Sequence, residues 1–407
     1  MSHFNTFPNP PKLDVKPFTV AIPDADVVEL KSLLKASRLG PSTPYNENPS
    51  DHSSGVSLDW LRTAKQAWET TFDWRAQEKR QNSLPHFMTR IPIQIQGKEY
   101  IHDIHFMALF SKKKDAAPLI LLHGWPGSFI EFIPILEILS KKYTPETLPY
   151  HVVVPSLPGY AFSSGPQSTE FKQMDVANIF NDLMVGLGFD KYIAQGGDVG
   201  SGVARLLTYH DNCTAIHLNM LSPASPQDDD RSILSQAECK VLDRSKVFYQ
   251  TGWAYGLEQG TRPNTLGFAL SSSPLAILAW IGEKMLEWSD QDPSMDEILT
   301  NVSIYWFTNS ISTSFYSYRE AIVRKQGYYK YHEKPIGYTC FPCEIIPVPK
   351  SWVEKDGNLV FYRQAKSGGH FAALEVPELL LKDVEDFVEQ VWGSSTNGVS
   401  HTNGVAH

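Results

Sequence analysis

The spacing of apolar residues changes twice along the chain. After a short apolar segment at 18–22, Val27, Leu30, Leu33 and Leu34 recur at helical spacing behind the start signal Pro23-Asp24. Trp60, Leu61, Ala64 and Trp68 do the same within 58–71, leading into Phe72-Asp73-Trp74-Arg75. The period then drops to two. Ile91 to Ile95 and Tyr100 to Phe110 read as strands separated by a turn at Gln96-Gly97. His102 and His105 lie three apart on the second of these, which points them to opposite faces and argues against a shared metal site.

From Pro118 onward, short apolar runs alternate with amphipathic helices, the pattern of a mostly parallel sheet with crossover helices. The runs are Leu119 to Leu122, Val152 to Val154, Tyr192 to Ala194 and Ala215 to Met220. Between the second and third, Val176, Ile179, Phe180, Leu183, Met184 and Leu187 form one helical face that packs on the core. Pro223 and Pro226 then open a helical stretch reaching roughly Arg324, which breaks the alternation and predicts an inserted lid. The alternation resumes at Ile336 to Phe341 and Leu359 to Tyr362 and closes on a helix with Leu380, Leu381, Val384, Phe387, Val388 and Val391 inward. The expected organisation is an N-terminal unit 1–115, core 116–225, lid 226–330 and core 331–393. The tail 394–407, in which Thr-Asn-Gly-Val occurs twice, is expected to be disordered.

Composition narrows the function. With 42% hydrophobic and 20% charged residues the 407-residue chain is globular. Its 36 basic and 45 acidic residues give a net charge of −9 with no basic block, so nucleic acid is not an expected partner. The polar, proline-rich first 15 residues read as neither signal nor membrane anchor, and only four cysteines are present, so a reduced, cytoplasmic setting is expected. Cys340 and Cys343 have the spacing of a metal or redox pair, but no second pair accompanies them and they read as packing thiols. No metal or cofactor is expected. The best membrane candidate, Pro263 to Gly282, is interrupted at Ser271-Ser272-Ser273-Pro274 and reads as a helical pair instead.

The chemistry concentrates at strand ends. Gln195-Gly196-Gly197-Asp198-Val199-Gly200 runs from an apolar strand into a helix, the layout in which small residues hold a nucleophile in a strained turn. The usual occupant is serine, yet the chain contains no Gly-x-Ser-x-Gly, and Asp198 takes the place. A carboxylate is an anion at neutral pH in its ordinary state and can attack carbon without a base. The resulting ester needs hydrolysis, hence a base, an acid to orient it and an oxyanion hole. His370 follows the last strand and is the expected base. Glu344, after the preceding strand, is the expected acid, with Asp356 and Glu354 in a later loop fitting less well. The loop His123-Gly124-Trp125-Pro126-Gly127 follows the first core strand, so the backbone N–H groups of Trp125 and Val199 are the expected hole.

With these motifs the sequence resembles the epoxide hydrolases of the α/β-hydrolase fold, in the microsomal-type branch that includes soluble fungal enzymes. Phe18 to Asp24, Phe72 to Arg75 and Asn82 to Phe87 resemble that branch's N-terminal meander. His123 to Ser128, Gly159 to Ser163, Gly196 to Gly200 and Gly368 to Ala373 match its four core motifs. The resemblance implies a cis peptide before Pro126 and a lid inserted between core strands. It also implies two lid tyrosines that hold the epoxide oxygen, which it puts at Tyr255 and Tyr318, with Tyr316 and Tyr249 as neighbouring alternatives. It further implies a hydrophobic epoxide and water as substrates, and a homodimer is plausible on the same basis. Trp253, Phe268, Leu270, Ile281 and Trp306 are candidate lid contacts. The acid is Glu344 where other members carry Asp, and the N-terminal anchor of the membrane-bound members is absent. Competing expectations are a dehalogenase of the same fold and an inactive carrier of hydrophobic ligands. Haloalkane enzymes commonly carry Trp after the nucleophile, where this chain has Val199, and both Asp198 and His370 are retained.

Overall fold

In the computed structural model, residues 3–47, 54–222, 231–324 and 330–396 are described, and the alternating strands all join one sheet. The chain opens with β1 (Lys16–Phe18), α1 (Asp24–Ala36), α2 (Leu58–Thr70) and α3 (Trp74–Gln81), followed by the hairpin of β2 (His86–Ile95) and β3 (Lys98–Leu109). Gln96 and Gly97 both have positive φ, 49° and 77°, the turn geometry that matches the twist of paired strands. The core continues as β4 (Ala117–Leu122), α4 (Ile133–Lys142), β5 (Tyr150–Pro155), α5 (Gln173–Gly186), β6 (Tyr192–Gly196), α6 (Asp198–Leu207) and β7 (Cys213–Leu218). The insertion comprises α7 (Gln236–Val247), α8 (Ala254–Thr261), α9 (Pro263–Ser271), α10 (Pro274–Glu287), α11 (Met295–Phe307) and α12 (Tyr316–Arg319). The core closes with β8 (His332–Cys340), α13 (Lys350–Asp356), β9 (Gly357–Gln364), α14 (Ala372–Glu375) and α15 (Pro377–Thr396).

The strand order is β1-β2-β3-β5-β4-β6-β7-β8-β9. Pairing is parallel from β5 through β9 and antiparallel along β1, β2, β3 and β5. This is the mostly parallel sheet that the sequence predicts. The expected boundary at 115 is crossed by the ladder itself: Phe106 to Leu109 of β3 pair with Pro155 to Val152 of β5, so the N-terminal residues form one edge of the core sheet. All six residues of β4 are buried, as a central strand covered on both faces requires.

Several local expectations change. The apolar run 18–22 is a strand only to Phe18, because the N–H groups of Val20 and Ile22 donate to the side chains of Asn82 and Glu78 rather than to a neighbouring strand. Glu354 and Asp356 lie on α13 instead of in a loop. Helix α15 continues to Thr396, past the expected start of the tail at 394; residues 397–407 lie outside the described residues, as do Pro223 and Pro226. Helices α9 and α10 meet at 115°, where Ser273 caps α10 and Pro274 begins it. Among the described residues no single helix is long and apolar enough to cross a membrane.

The insertion docks on the core through α11. Trp68 Nε1 donates to Ser303 at 3.0 Å, Asn301 Nδ2 to the Pro126 carbonyl at 2.6 Å, and the Tyr305 hydroxyl to the Gly127 carbonyl at 2.8 Å. The first bond ties α2 to the insertion; the other two hold the loop after β4 against it, and that loop forms one wall of the site.

Candidate active site

Strand β6 turns into α6 within two residues, and the turn is tight enough to put Asp198 at φ 46°. This left-handed conformation is costly for a residue with a Cβ and is kept only where the surroundings impose it. A Cβ on Gly196 would collide with the Gly200 carbonyl, and one on Gly200 with the carbonyls of Leu122 and His123. Glycine at both positions lets α6 approach the sheet so closely. The Asp198 carboxylate therefore projects from the first residue of α6. Its Oδ1 accepts the Trp125 N–H at 2.7 Å, and its Oδ2 lies 3.5 Å from His370 Nε2. The Trp125-Pro126 peptide is cis. Val199 follows Asp198 in the first turn of α6 and is half-buried.

Glu344, in the loop after β8, stands on the other side of His370, with Oε1 2.6 Å from Nδ1. Both residues are buried. Burial opposes the imidazolium, but the carboxylates of Glu344 and Asp198 outweigh it and hold the His370 pKa well above 6.5. The two alternative acids are engaged elsewhere. Asp356 pairs with Arg205 at 2.5 Å inside the protein, and Glu354 pairs with Lys350 at 3.2 Å on its surface.

Tyr255 on α8 and Tyr318 on α12 converge from the insertion, and the Tyr318 hydroxyl donates to that of Tyr255 at 3.5 Å. Trp125 stacks on the Tyr255 ring at 5.1 Å and meets Tyr318 edge-on at 5.8 Å. Burial raises both phenols well above their usual range, with the Asp198 charge adding to the shift, so both are neutral donors. Tyr249 is 56% exposed, and Tyr316 is half-buried between Tyr160 and Phe171. Trp253 packs against both Tyr255 and Tyr318, Leu270 and Ile281 are buried, and Trp306 is half-buried. Phe268 does not fit the expected lid contacts: it lies on the outer face of α9 and is 78% exposed.

A cavity of about 20 Å³ is bounded by Asp198, His370, Glu131, Gln195 and Asn219. That is room for about one water molecule. Gln195 Oε1 is a buried acceptor with no partner among the described residues, so the cavity wall is polar. Glu131 is absent from the residues that the sequence singles out. Burial pushes its carboxyl up to about 8, with the Asp198 charge adding and His370 opposing. The available signal is a lone carboxylate in the apolar run Phe129-Ile130-Glu131-Phe132-Ile133. Glu375 is similar, raised to about 7 by burial, and it accepts the N–H groups of Asp290 and Phe371.

The histidines on β3 diverge: His105 bonds to His86 and Ser156, while His102 packs against Phe171. Among the described residues no three His, Cys, Asp or Glu side chains are arranged to hold a metal ion.

Comparison with known proteins shows what the whole chain is similar to. The family model described as "Epoxide hydrolase N terminus" matches residues 15–132, and the model described as "alpha/beta hydrolase fold" matches 117–237. A protein of Dothistroma septosporum, provisionally named an epoxide hydrolase, is 44% identical over 97% of this chain and 94% of its own. Epoxide hydrolase 1 of Oryctolagus cuniculus is 33% identical over 92% and 88%. The structure of Aspergillus niger epoxide hydrolase superposes with a TM-score of 0.89 at 47% identity, covering 96% of this chain and 100% of that one.

Proposed function

The chain belongs to the epoxide hydrolases of the α/β-hydrolase fold, and from that premise we propose that it converts a hydrophobic epoxide and water to a vicinal diol through an ester on Asp198. The supporting observation is one carboxylate with a backbone N–H on one oxygen and an imidazole on the other, facing two neutral phenols. Apolar residues around the phenols, Trp253 above all, favour a hydrophobic substrate.

In the first step Asp198 Oδ2 attacks a ring carbon. The carbon–oxygen bond of the ring breaks, its electron pair moves to the oxygen, and a hydrogen bond from Tyr255 or Tyr318 becomes a proton transfer. The two phenols stabilise charge where it develops, which lowers the barrier without the cost of reorganising solvent. Esterification removes the Asp198 charge. His370 then loses one of the two carboxylates that hold its proton, its pKa falls toward that of a base, and the proton it releases returns through water to the tyrosinate, restoring the neutral phenol.

In the second step neutral His370 takes a proton from water, and the hydroxide adds to the Asp198 ester carbon. The Trp125 N–H, already on Oδ1, supports the oxyanion, with Val199 as the second expected donor. Collapse breaks the ester, His370 gives its proton to the leaving alkoxide, the diol departs, and the carboxyl left at Asp198 passes its proton to His370, which restores the resting carboxylate and imidazolium. Glu344 orients the ring and stabilises the imidazolium.

Incubation with styrene oxide, with diol scored by chromatography, tests the activity. Wild-type protein should form diol and Asp198→Ala should form none. No diol from the wild type, or equal rates from both, would overturn the proposal.

A further inference from the structure

We propose that Asp290, in the turn between α10 and α11, is the residue through which the insertion positions the His370–Glu344 pair for ester hydrolysis. This rests on the ester reading of the site. The turn 288–290 grips both catalytic loops at once. Asp290 Oδ2 accepts the Gly368 N–H at 2.9 Å, and Oδ1 accepts the Cys343 thiol at 3.1 Å. One carboxylate thus spans the residue before Glu344 and the residue two before His370. Cys343, a packing thiol by its sequence context, is a hydrogen-bond donor in this frame.

Further bonds close it. The His370 N–H donates to the Trp288 carbonyl at 2.9 Å, and the Asp290 N–H to Glu375 Oε2 at 2.6 Å. A Cβ on Gly369 would come within 2.6 Å of the Trp288 oxygen and 2.8 Å of the Asp290 nitrogen, so the turn packs on the histidine loop at a distance only glycine allows. From α7, Arg244 donates to the carbonyls of Glu344 at 2.7 Å and Cys343 at 2.9 Å, which holds the acid loop from another direction. The bonds from Gly368 and Cys343 also keep the Asp290 carboxyl below its usual range.

The acid and the base sit on separate loops after different strands. Their 2.6 Å contact depends on the relative placement of those loops, and a misplacement of about 1 Å can cost about a hundredfold in rate. Asp290 touches neither Asp198 nor the tyrosine pair. Its loss therefore acts on hydrolysis and spares alkylation, which makes it a positioning residue.

The test compares wild type with Asp290→Ala, Asp290→Asn and Cys343→Ala under single turnover with styrene oxide. Alkyl-enzyme is followed by mass spectrometry of quenched samples and diol by chromatography. Alkylation should stay within about twofold of wild type, while hydrolysis slows about tenfold or more in Asp290→Ala. Asp290→Asn keeps an acceptor for Gly368, and Cys343→Ala removes one bond, so both should lie between. If Asp290→Ala does not fold, these two carry the same comparison.

The acid limb of hydrolysis should also move to lower pH, because a loosely held Glu344 raises the His370 pKa less. In the ester form the groups facing His370 are Glu344, Glu131 and Glu375, and those facing Asp290 are Cys343 and Arg244. Wild-type hydrolysis rates and an unmoved acid limb in all folded variants would overturn the proposal. So would an equal fall in both half-reactions with the limb unmoved, the signature of lost folded enzyme. If wild type itself forms no alkyl-enzyme, the ester reading fails first and the positioning role with it.

Discussion

At the residue scale the resting site is an imidazolium between two carboxylates, and the proposed chemistry follows from removing one of those charges. His370→Gln should accumulate alkyl-enzyme with little diol released, because alkylation by Asp198 needs no base. Mass spectrometry of that variant with epoxide checks this, and absence of an adduct would contradict it. Glu344→Gln should slow hydrolysis less, since an amide still orients the ring but cannot stabilise its cation. For Tyr255→Phe and Tyr318→Phe singly, one of two hydrogen bonds to a developing charge is lost, about 1.5 to 3 kcal/mol, or one to two decades in alkylation rate. The double variant should be far slower in a stopped-flow measurement; single variants at the wild-type rate would move the role to other donors. Asp198, His370 and Glu344 are legible in the sequence because glycine pairs and strand ends constrain where they stand. Glu131 and Asp290 are not. A lone carboxylate reveals its burial, and a turn its partners, only once distant segments have packed.

At the element scale α6 has two tasks, presenting Asp198 at its first residue and holding its own position under that strained turn. Arg205, near its C-terminal end, fixes it through Asp356 at the end of α13 and through the Ser222 carbonyl at 2.6 Å. Both charged side chains are about 1% exposed, so removing one breaks an ion pair inside the protein. Asp356→Ala should lower the unfolding free energy by about 3 to 5 kcal/mol in urea titration, and a loss under 1 kcal/mol would show that water or another group takes over the guanidinium. Hydrophobic period alone marks β4 to β9 and the helices between them. It does not reveal that β3 pairs with β5, because an alternating strand carries no mark of which edge it joins. Nor does it separate the strand β1 from the side-chain bonds that satisfy Val20 and Ile22.

At the scale of the whole molecule, stability depends on buried groups held in their neutral forms. Burial lowers His86 and His123 to about 4 and His217 to about 3. Each contributes stability that is present above the unfolded value of about 6.5 and is lost as pH falls through the folded value, about 3 kcal/mol for His86 and His123 and about 5 kcal/mol for His217. Glu131 works the other way: raised to about 8, it contributes stability that is full below its unfolded value and is lost as pH rises through about 8. Unfolding free energy should therefore peak at about pH 7 and decline on both sides in urea titrations across pH 4 to 9. A curve that rises steadily to pH 9 would contradict this. The complete catalytic cycle can be followed with oxygen isotopes. With enzyme in excess over epoxide in ¹⁸O-water, the diol of the first turnover should carry unlabelled oxygen taken from Asp198, and the label should appear in the protein carboxylate. First-turnover diol that carries solvent ¹⁸O, with Asp198 unlabelled, would mean that water attacks the epoxide directly and that no ester forms.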